Sequence, residues 1–117
     1  YPETIMDSLV VNTKFAEENP RIVEAVAECW YKAVDYMNEN PEAAYALMAS
    51  GFDEVTAEDI AADKEGLRFF GREENAALND AATERSIFAI SQDMADFWMA
   101  KGECDTNDIS EFFALVK

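Results

Sequence analysis

Apolar residues recur every three or four positions in two long stretches of the chain, which is the spacing of one face of an α-helix. The second stretch, residues 83–101, carries Ile87, Ile90, Met94, Phe97 and Trp98. The first, residues 19–40, carries a longer apolar stripe, made up of Ile22, Val26, Cys29, Trp30, Ala33, Val34 and Met37. The pattern predicts two amphipathic helices, the first of about five turns.

The dipeptide Asn-Pro occurs twice, at Asn19-Pro20 and at Asn40-Pro41. Proline is tolerated in the first turn of a helix, where its missing N–H would be unpaired, and an Asn before it can cap the helix with its side chain. Each pair therefore predicts a helix start. The second helix is expected to be short, from Pro41 to about Ser50, with Gly51 ending it in the left-handed conformation.

The remaining segments predict shorter elements. Thr56 and Asp59 have the spacing of a capping box and predict a helix over residues 57–65. The run Leu9-Val10-Val11 favours a strand within residues 5–11, and residues 67–71 favour a strand or an extended segment. Residues 72–80 are expected to form a loop that enters a helical turn, and residues 108–117 a last amphipathic helix.

Charge and composition exclude several classes of function. The 117 residues include nine basic and 25 acidic side chains, a net charge of −16, and no histidine. A chain this acidic repels phosphate backbones, so no nucleic-acid partner is expected. The commonest general base and metal ligand is missing, and no phosphate-binding loop or nucleophile motif occurs. We therefore expect no catalytic residue, no metal site, no cofactor and no enzymatic activity.

The two cysteines leave the compartment open. Cys29 lies on the apolar stripe, where a buried small thiol is expected, and Cys104 lies in a polar turn. A disulfide between them is an open alternative, because sequence does not establish their proximity.

The order of several short motifs resembles a known family. Leu9-Val10-Val11-Asn12, followed by the segment from Phe15 to Val23, is similar to part of the periplasmic substrate-binding proteins of ABC transporters. The similar branch is the type II group, which includes nitrate-, sulfonate-, taurine- and thiamine-precursor-binding proteins. Later parts of the chain that look like this family are Trp30-Tyr31-Lys32-Ala33, Asn40-Pro41-Glu42-Ala43-Ala44, Gly66-Leu67-Arg68-Phe69-Phe70 with Glu73-Glu74-Asn75, and the run from Ala95 to Gly102.

The resemblance implies an α/β fold class, with residues 1–117 as a single, mostly helical C-terminal segment of a periplasmic-binding-protein-like lobe with one or two short strands. The chain begins at Tyr1 without an initiator methionine, so we expect a processed chain or a fragment whose N-terminal part completes the protein. The implied function is capture of a small polar nutrient, nitrogen- or sulfur-containing, between two lobes. The protein would deliver it to ABC permease subunits from a periplasmic or extracellular location.

Within that resemblance, the candidate substrate-binding residues are Phe69, Phe70, Glu74 and Asn75. An aromatic pair beside a carboxylate and an amide could supply a stacking wall with a donor and an acceptor. In the alternative interpretation, the two phenylalanines are core and Glu74 and Asn75 cap the next helical turn.

Two further alternatives concern the amphipathic helices. Trp30 and Tyr31 are expected to be core residues, because they lie on or beside a helix stripe. The alternative function is a free-standing acidic helical protein-interaction module that grips a partner through the Met- and aromatic-rich helix of residues 83–101.

Overall fold

The computed structural model describes residues 5–110, and all regular secondary structure in that range is helical. These residues form two compact units, one made of residues 5–23 and 75–110 and the other of Glu24–Glu74. The helices are α1 (Thr13–Glu18), α2 (Pro20–Glu39), α3 (Pro41–Ala49), α4 (Ala57–Lys64), α5 (Arg72–Leu78) and α6 (Ile87–Ala100).

The expected α/β fold, with one or two short strands, is wrong for the described part of the chain. Residues 5–11 and 67–71 form no strand and have no ladder partner within residues 5–110. Leu9 and Val10 are 76% and 85% exposed. β-propensity describes how well a side chain fits a half-buried sheet surface, so without a neighbouring strand the local preference has nothing to act on.

The unit Glu24–Glu74 contains most of α2 and all of α3 and α4. Helix α3 packs against α4. The buried apolar residues of this unit come from α2 and α3 and are Val34, Met37, Ala44 and Ala49. Val34 and Met37 precede the joint between the two helices in the sequence, and Ala44 and Ala49 follow it.

In the other unit, α6 begins later than its apolar pattern predicts. Turns precede it, with Thr83 N donating to Asp80 O and Ser86 N donating to Thr83 O. Ser86 is almost fully buried, and its hydroxyl accepts from Ala89 N at 3.2 Å as the N-cap. The cap fixes the start at Ile87, because a serine at this position satisfies an N–H of the first turn.

The two Asn-Pro joints confirm the predicted helix starts but not the expected side-chain caps. Asn19 and Asn40 adopt nearly the same conformation, with φ of −133° and −136°. Each donates its main-chain N–H and its side-chain Nδ2 back to the carbonyl four residues earlier, that of Phe15 or Tyr36. Both amides therefore close the end of the preceding helix, because the orphan groups that lie within reach there are carbonyl acceptors.

Several local predictions have definite outcomes. The capping box of Thr56 and Asp59 is confirmed, with the Asp59 carboxylate accepting from Thr56 N at 2.9 Å and Asp59 N donating to Thr56 Oγ1 at 3.2 Å. The left-handed Gly51 is wrong, since the glycine with positive φ among the described residues is Gly102, which ends α6 at 74°. Residues 72–78 form the helix α5, which begins at Arg72 without the loop that was expected to enter its helical turn.

Two other expectations concern exposure and the C-terminal segment. Cys29 is exposed, so its expected burial is wrong; both cysteines are free thiols. The predicted helix over residues 108–117 falls mostly on residues 111–117, which lie outside the described residues. Residues 108–110 are not helical.

Little apolar surface is buried in the part of the chain that the structure describes. Its buried hydrophobic residues are the four named above and Ala16 of α1. On the predicted stripe of α2 only Val34 and Met37 are buried, whereas Ile22 and Val26 are about half exposed. Contiguous exposed apolar surface of this kind marks places where other molecules or other polypeptide bind.

The turn between α3 and α4 supplies a stability prediction. Glu54 has a φ of 66°, in the left-handed region that disfavours residues with a Cβ. Glycine relieves that strain, so Glu54→Gly is expected to stabilise the chain by up to about 1 kcal/mol, measured by urea unfolding followed by circular dichroism. Glu54→Ala is the matched control, because it removes the carboxylate and keeps the strain. A Glu54→Gly protein no more stable than Glu54→Ala would contradict the assignment of strain.

Candidate functional site

The segment of residues 66–74 comprises most of the connection between α4 and α5 and the first three residues of α5, and Trp30 holds it against α2. The indole Nε1–H of Trp30 donates to Phe70 O at 2.9 Å. The Trp30 and Phe69 rings lie 6.1 Å apart between centroids and are tilted by 45°. An irregular segment has no ladder of its own, so a side chain that binds its main chain fixes its path.

A second set of contacts links the start of α5 to α2. Arg72 Nη2 lies 2.6 Å from Glu28 Oε1, and the Arg72 guanidinium stands over the Tyr31 ring at 4.5 Å from its centroid. Arginine suits this arrangement because its planar cation can stack on a ring while its N–H groups bind a carboxylate.

A third interaction closes the segment on itself. Glu74 Oε1 accepts from Arg68 Nη2 at 2.7 Å and from Arg68 Nε at 3.2 Å. The second carboxylate oxygen, Oε2, accepts from Gly71 N at 3.0 Å. Glu74 lies three residues after Gly71, as in the reciprocal half of a capping box, so the carboxylate stabilises the start of α5.

Three cations of this unit lie over three aromatic rings. The Lys64 ammonium is 5.8 Å from the Phe69 centroid, and the Arg68 guanidinium is 4.8 Å from that of Phe70. The third pair is the Arg72–Tyr31 contact. We call these residues the cationic–aromatic cluster; its members are Tyr31, Lys64, Arg68, Phe69, Phe70 and Arg72. Three of the nine basic residues of a very acidic chain thus fall within nine positions.

The carboxylates beside the cluster are held in their charged form. The hydrogen bond from Arg72 lowers the pKa of Glu28, and it raises the pKa of Arg72 in turn. The main-chain N–H of Gly71, followed by Arg68, lowers the pKa of Glu74. Donors that favour the charged form produce shifts in this direction. At neutral pH the cluster therefore consists of cations partly balanced by two ionised carboxylates.

The structure brings together three of the four candidate substrate-binding residues. Phe69, Phe70 and Glu74 are partly buried in the same short segment. Asn75 follows Glu74 on α5 and belongs to the other compact unit, where its carbonyl accepts from Asn79 Nδ2 at 2.8 Å. Glu74 caps the start of α5, as the alternative interpretation expects. Contact of these side chains with a solute stays a prediction.

The cluster also contains basic residues that were not among the candidate substrate-binding residues. Arg68 and Arg72 flank the phenylalanine pair, and Lys64, the last residue of α4, precedes Arg68 by four positions. The spacing of four between successive cations, in a chain with few of them, was the available signal. Trp30, expected in the core, is 45% exposed and acts instead through its N–H.

A small apolar depression lies next to the cluster within the same unit. Its volume is about 90 Å³, and its lining residues come from α2, α3, α4 and the 66–74 segment: Met37, Tyr45, Met48, Ile60, Asp63, Lys64, Leu67 and Phe69. Pockets that enclose small-molecule ligands measure roughly 300–1,000 Å³. The depression can take one apolar side chain or part of a solute, but it does not enclose a whole nutrient molecule.

Comparisons of the chain with protein families, curated proteins and solved structures gave no match. Within residues 5–110, none of the helices has the length and apolar character needed to cross a membrane. The same residues contain no group of three or more acidic or cysteine side chains arranged to hold a metal ion.

The contribution of the Trp30 hydrogen bond to stability can be measured by removing its donor. Trp30→Phe keeps an aromatic ring and loses the hydrogen bond to Phe70 O, so we expect the free energy of unfolding to fall by about 1 kcal/mol in urea titrations. Trp98→Phe is the matched control, because Trp98 is similarly exposed and its described contact is the Phe97 ring. Equal losses in the two variants would contradict a specific role for the Trp30 N–H.

The lowered pKa of Glu74 gives a pH prediction. A carboxylate whose pKa is lower in the folded state stabilises that state above its unfolded pKa, and the contribution is lost as pH falls through the folded value. The urea midpoints of the wild type and Glu74→Gln should therefore differ at neutral pH and converge below pH 4.5, the usual value for Glu. Glu73→Gln, the same substitution at the exposed neighbour, is the matched control. A constant difference across this range would refute the linkage.

Proposed function

We propose that this chain is a helical part of the solute-binding component of an ABC importer. The cationic–aromatic cluster is the observation that carries the proposal. The ordered resemblance of the motifs to that class of protein supports it, and the 66–74 segment that holds the cluster is one of the resembling parts. The role is capture and delivery of a nutrient, without catalysis.

The chemistry of the cluster favours a small anionic or zwitterionic solute. Guanidinium groups bind planar or tetrahedral anions through two parallel N–H donors, and aromatic faces stack against flat solutes. Arg68 already holds the Glu74 carboxylate through Nε and Nη2, which both donate to Oε1, and Arg72 holds that of Glu28 through Nη2. A sulfonate or nitrate group could replace Glu74 or Glu28 as the partner of its arginine. Either exchange would couple solute binding to movement of the 66–74 segment.

Capture requires a second wall that this unit does not supply. The cluster residues remain partly exposed, and the adjacent depression is too small to enclose a solute. Further polypeptide of the same protein, docked on the exposed apolar surface of α2, is the proposed source of that wall. Solute binding would then shift the population toward a closed arrangement, which the permease subunits recognise.

Calorimetric titration of the full-length protein that contains this chain tests the proposal. The probes are taurine for sulfonates, sodium nitrate, and the hydroxymethylpyrimidine precursor of thiamine. We expect one of them to bind, and Arg68→Gln or Arg72→Gln to weaken its affinity by about tenfold or more. Lys14→Gln removes the same charge from an exposed site on α1 and should leave the affinity unchanged. Absence of binding by all three probes, or equal weakening by Lys14→Gln, would overturn the proposal.

A second candidate function is favoured by α6. Its residues Met94, Phe97, Trp98 and Met99 are 37–54% exposed, which is unusual for the most apolar part of a helix. We propose, as the alternative, that the chain is an acidic helical interaction module that binds another protein through α6. The two candidates differ in the variants that impair them, since the first depends on the cluster in Glu24–Glu74 and the second on α6.

A further inference from the structure

One face of α6 exposes large apolar side chains to solvent. Met94, Phe97 and Trp98 lie at helical spacing, and the Phe97 and Trp98 rings form an edge-to-face pair with centroids 5.2 Å apart. Phe97 is 54% exposed and Trp98 49%. Ile87 and Ile90 continue this face toward the helix start and are partly buried. We call Met94, Phe97 and Trp98 the α6 face.

The surroundings of the α6 face are strongly acidic. Residues 93–108 contain five carboxylates and one lysine, a net charge of −4; the acidic residues are Asp93, Asp96, Glu103, Asp105 and Asp108. All five are exposed. Asp96 accepts from Asn107 Nδ2 at 2.6 Å, so the loop after α6 is held beside the helix and keeps its charges there.

The rings of the α6 face can also accept cations. The ammonium of Lys101 lies 5.5 Å from the centroid of Phe97, which is within the range of a cation–π contact. A partner's lysine or arginine could make the same contact with Trp98, whose ring gives the strongest interaction of this kind.

We propose that the α6 face docks a basic amphipathic helix of a partner protein. The apolar stripe of that helix would pack on Met94, Phe97 and Trp98, and its flanking lysines and arginines would pair with the carboxylates of residues 93–108. Helix recognition of this type uses anchors at three- and four-residue spacing, and methionine adapts its shape to them. This inference rests on the second proposed function and does not require solute capture.

Charge favours a basic helix over the other obvious occupants. A second copy of the chain would bring two surfaces of net charge −4 together, and like charges opposed across an interface disfavour association. An acidic helix meets the same repulsion. A neutral apolar helix would gain packing but none of the attraction that guides association.

The test uses the full chain and a synthetic peptide of about 18 residues, built from Leu and Lys with the leucines on one helical face. Fluorescence anisotropy of the labelled peptide should show saturable binding, which weakens severalfold between about 50 and 300 mM NaCl. Phe97→Ala and Trp98→Ala should each weaken it by about tenfold or more, as expected for a central aromatic anchor. Phe52→Ala is the matched control, because Phe52 is 62% exposed in the other unit.

Three results would overturn the inference. A scrambled peptide of the same composition that binds equally well would show attraction by charge alone. A Leu and Glu peptide that binds equally and depends on Trp98 would preserve the interaction module and refute its cationic partner. Self-association that Trp98→Ala abolishes, seen by light scattering, would assign the α6 face to contacts between copies.

Discussion

The hydrogen bond from Trp30 to the carbonyl of Phe70 joins positions forty residues apart, and the organisation of Glu24–Glu74 depends on it. Residues 65–71, between α4 and α5, form neither helix nor strand that would define their path. The indole fixes one point of that path, and the ion pair between Arg72 and Glu28 fixes a second about half a helical turn later. Together with the Trp30–Phe69 ring contact, these two interactions hold the phenylalanine pair beside α2. The cationic–aromatic cluster therefore depends on contacts with α2 as well as on the Arg68–Glu74 ion pair within the segment.

Burial supplies little of the order in this chain. Helices α1, α3, α4 and α5 have six to nine residues, a length at which isolated helices are marginal in water. Their ends are defined by local devices, such as the Thr56–Asp59 capping box of α4 and the Glu74 carboxylate that accepts from Gly71 N at the start of α5, each of which satisfies orphan N–H groups. Such devices specify conformation without covering apolar surface. The stripe of α2 and the α6 face therefore remain available, and both proposed functions use that surface.

Sequence reasoning succeeded where the information is local. Asn-Pro pairs placed the starts of α2 and α3, and the Thr56 box placed α4, because the groups involved lie within one turn of each other. It failed where the outcome depends on distant partners. Leu9 and Val10 favour a strand but meet no sheet within the described residues, and Cys29 lies on an apolar stripe that is covered only toward its C-terminal end. The candidate site was found in part, since aromatic residues are conspicuous, whereas the pairing of Arg72 with Glu28 across 44 positions left no local signal.

The two Asn-Pro joints have a consequence for the chemical durability of the chain. Asparagine deamidates when the main-chain nitrogen of the next residue attacks its side-chain amide, and that attack requires an N–H. Proline has none. Asn19 and Asn40 use their amide N–H groups to close the preceding helix, so conversion to aspartate would replace a donor by a negatively charged acceptor beside a carbonyl. The proline that begins each helix therefore also protects the asparagine that ends the one before it. Deamidation by this route therefore does not remove the Nδ2 donors of Asn19 and Asn40.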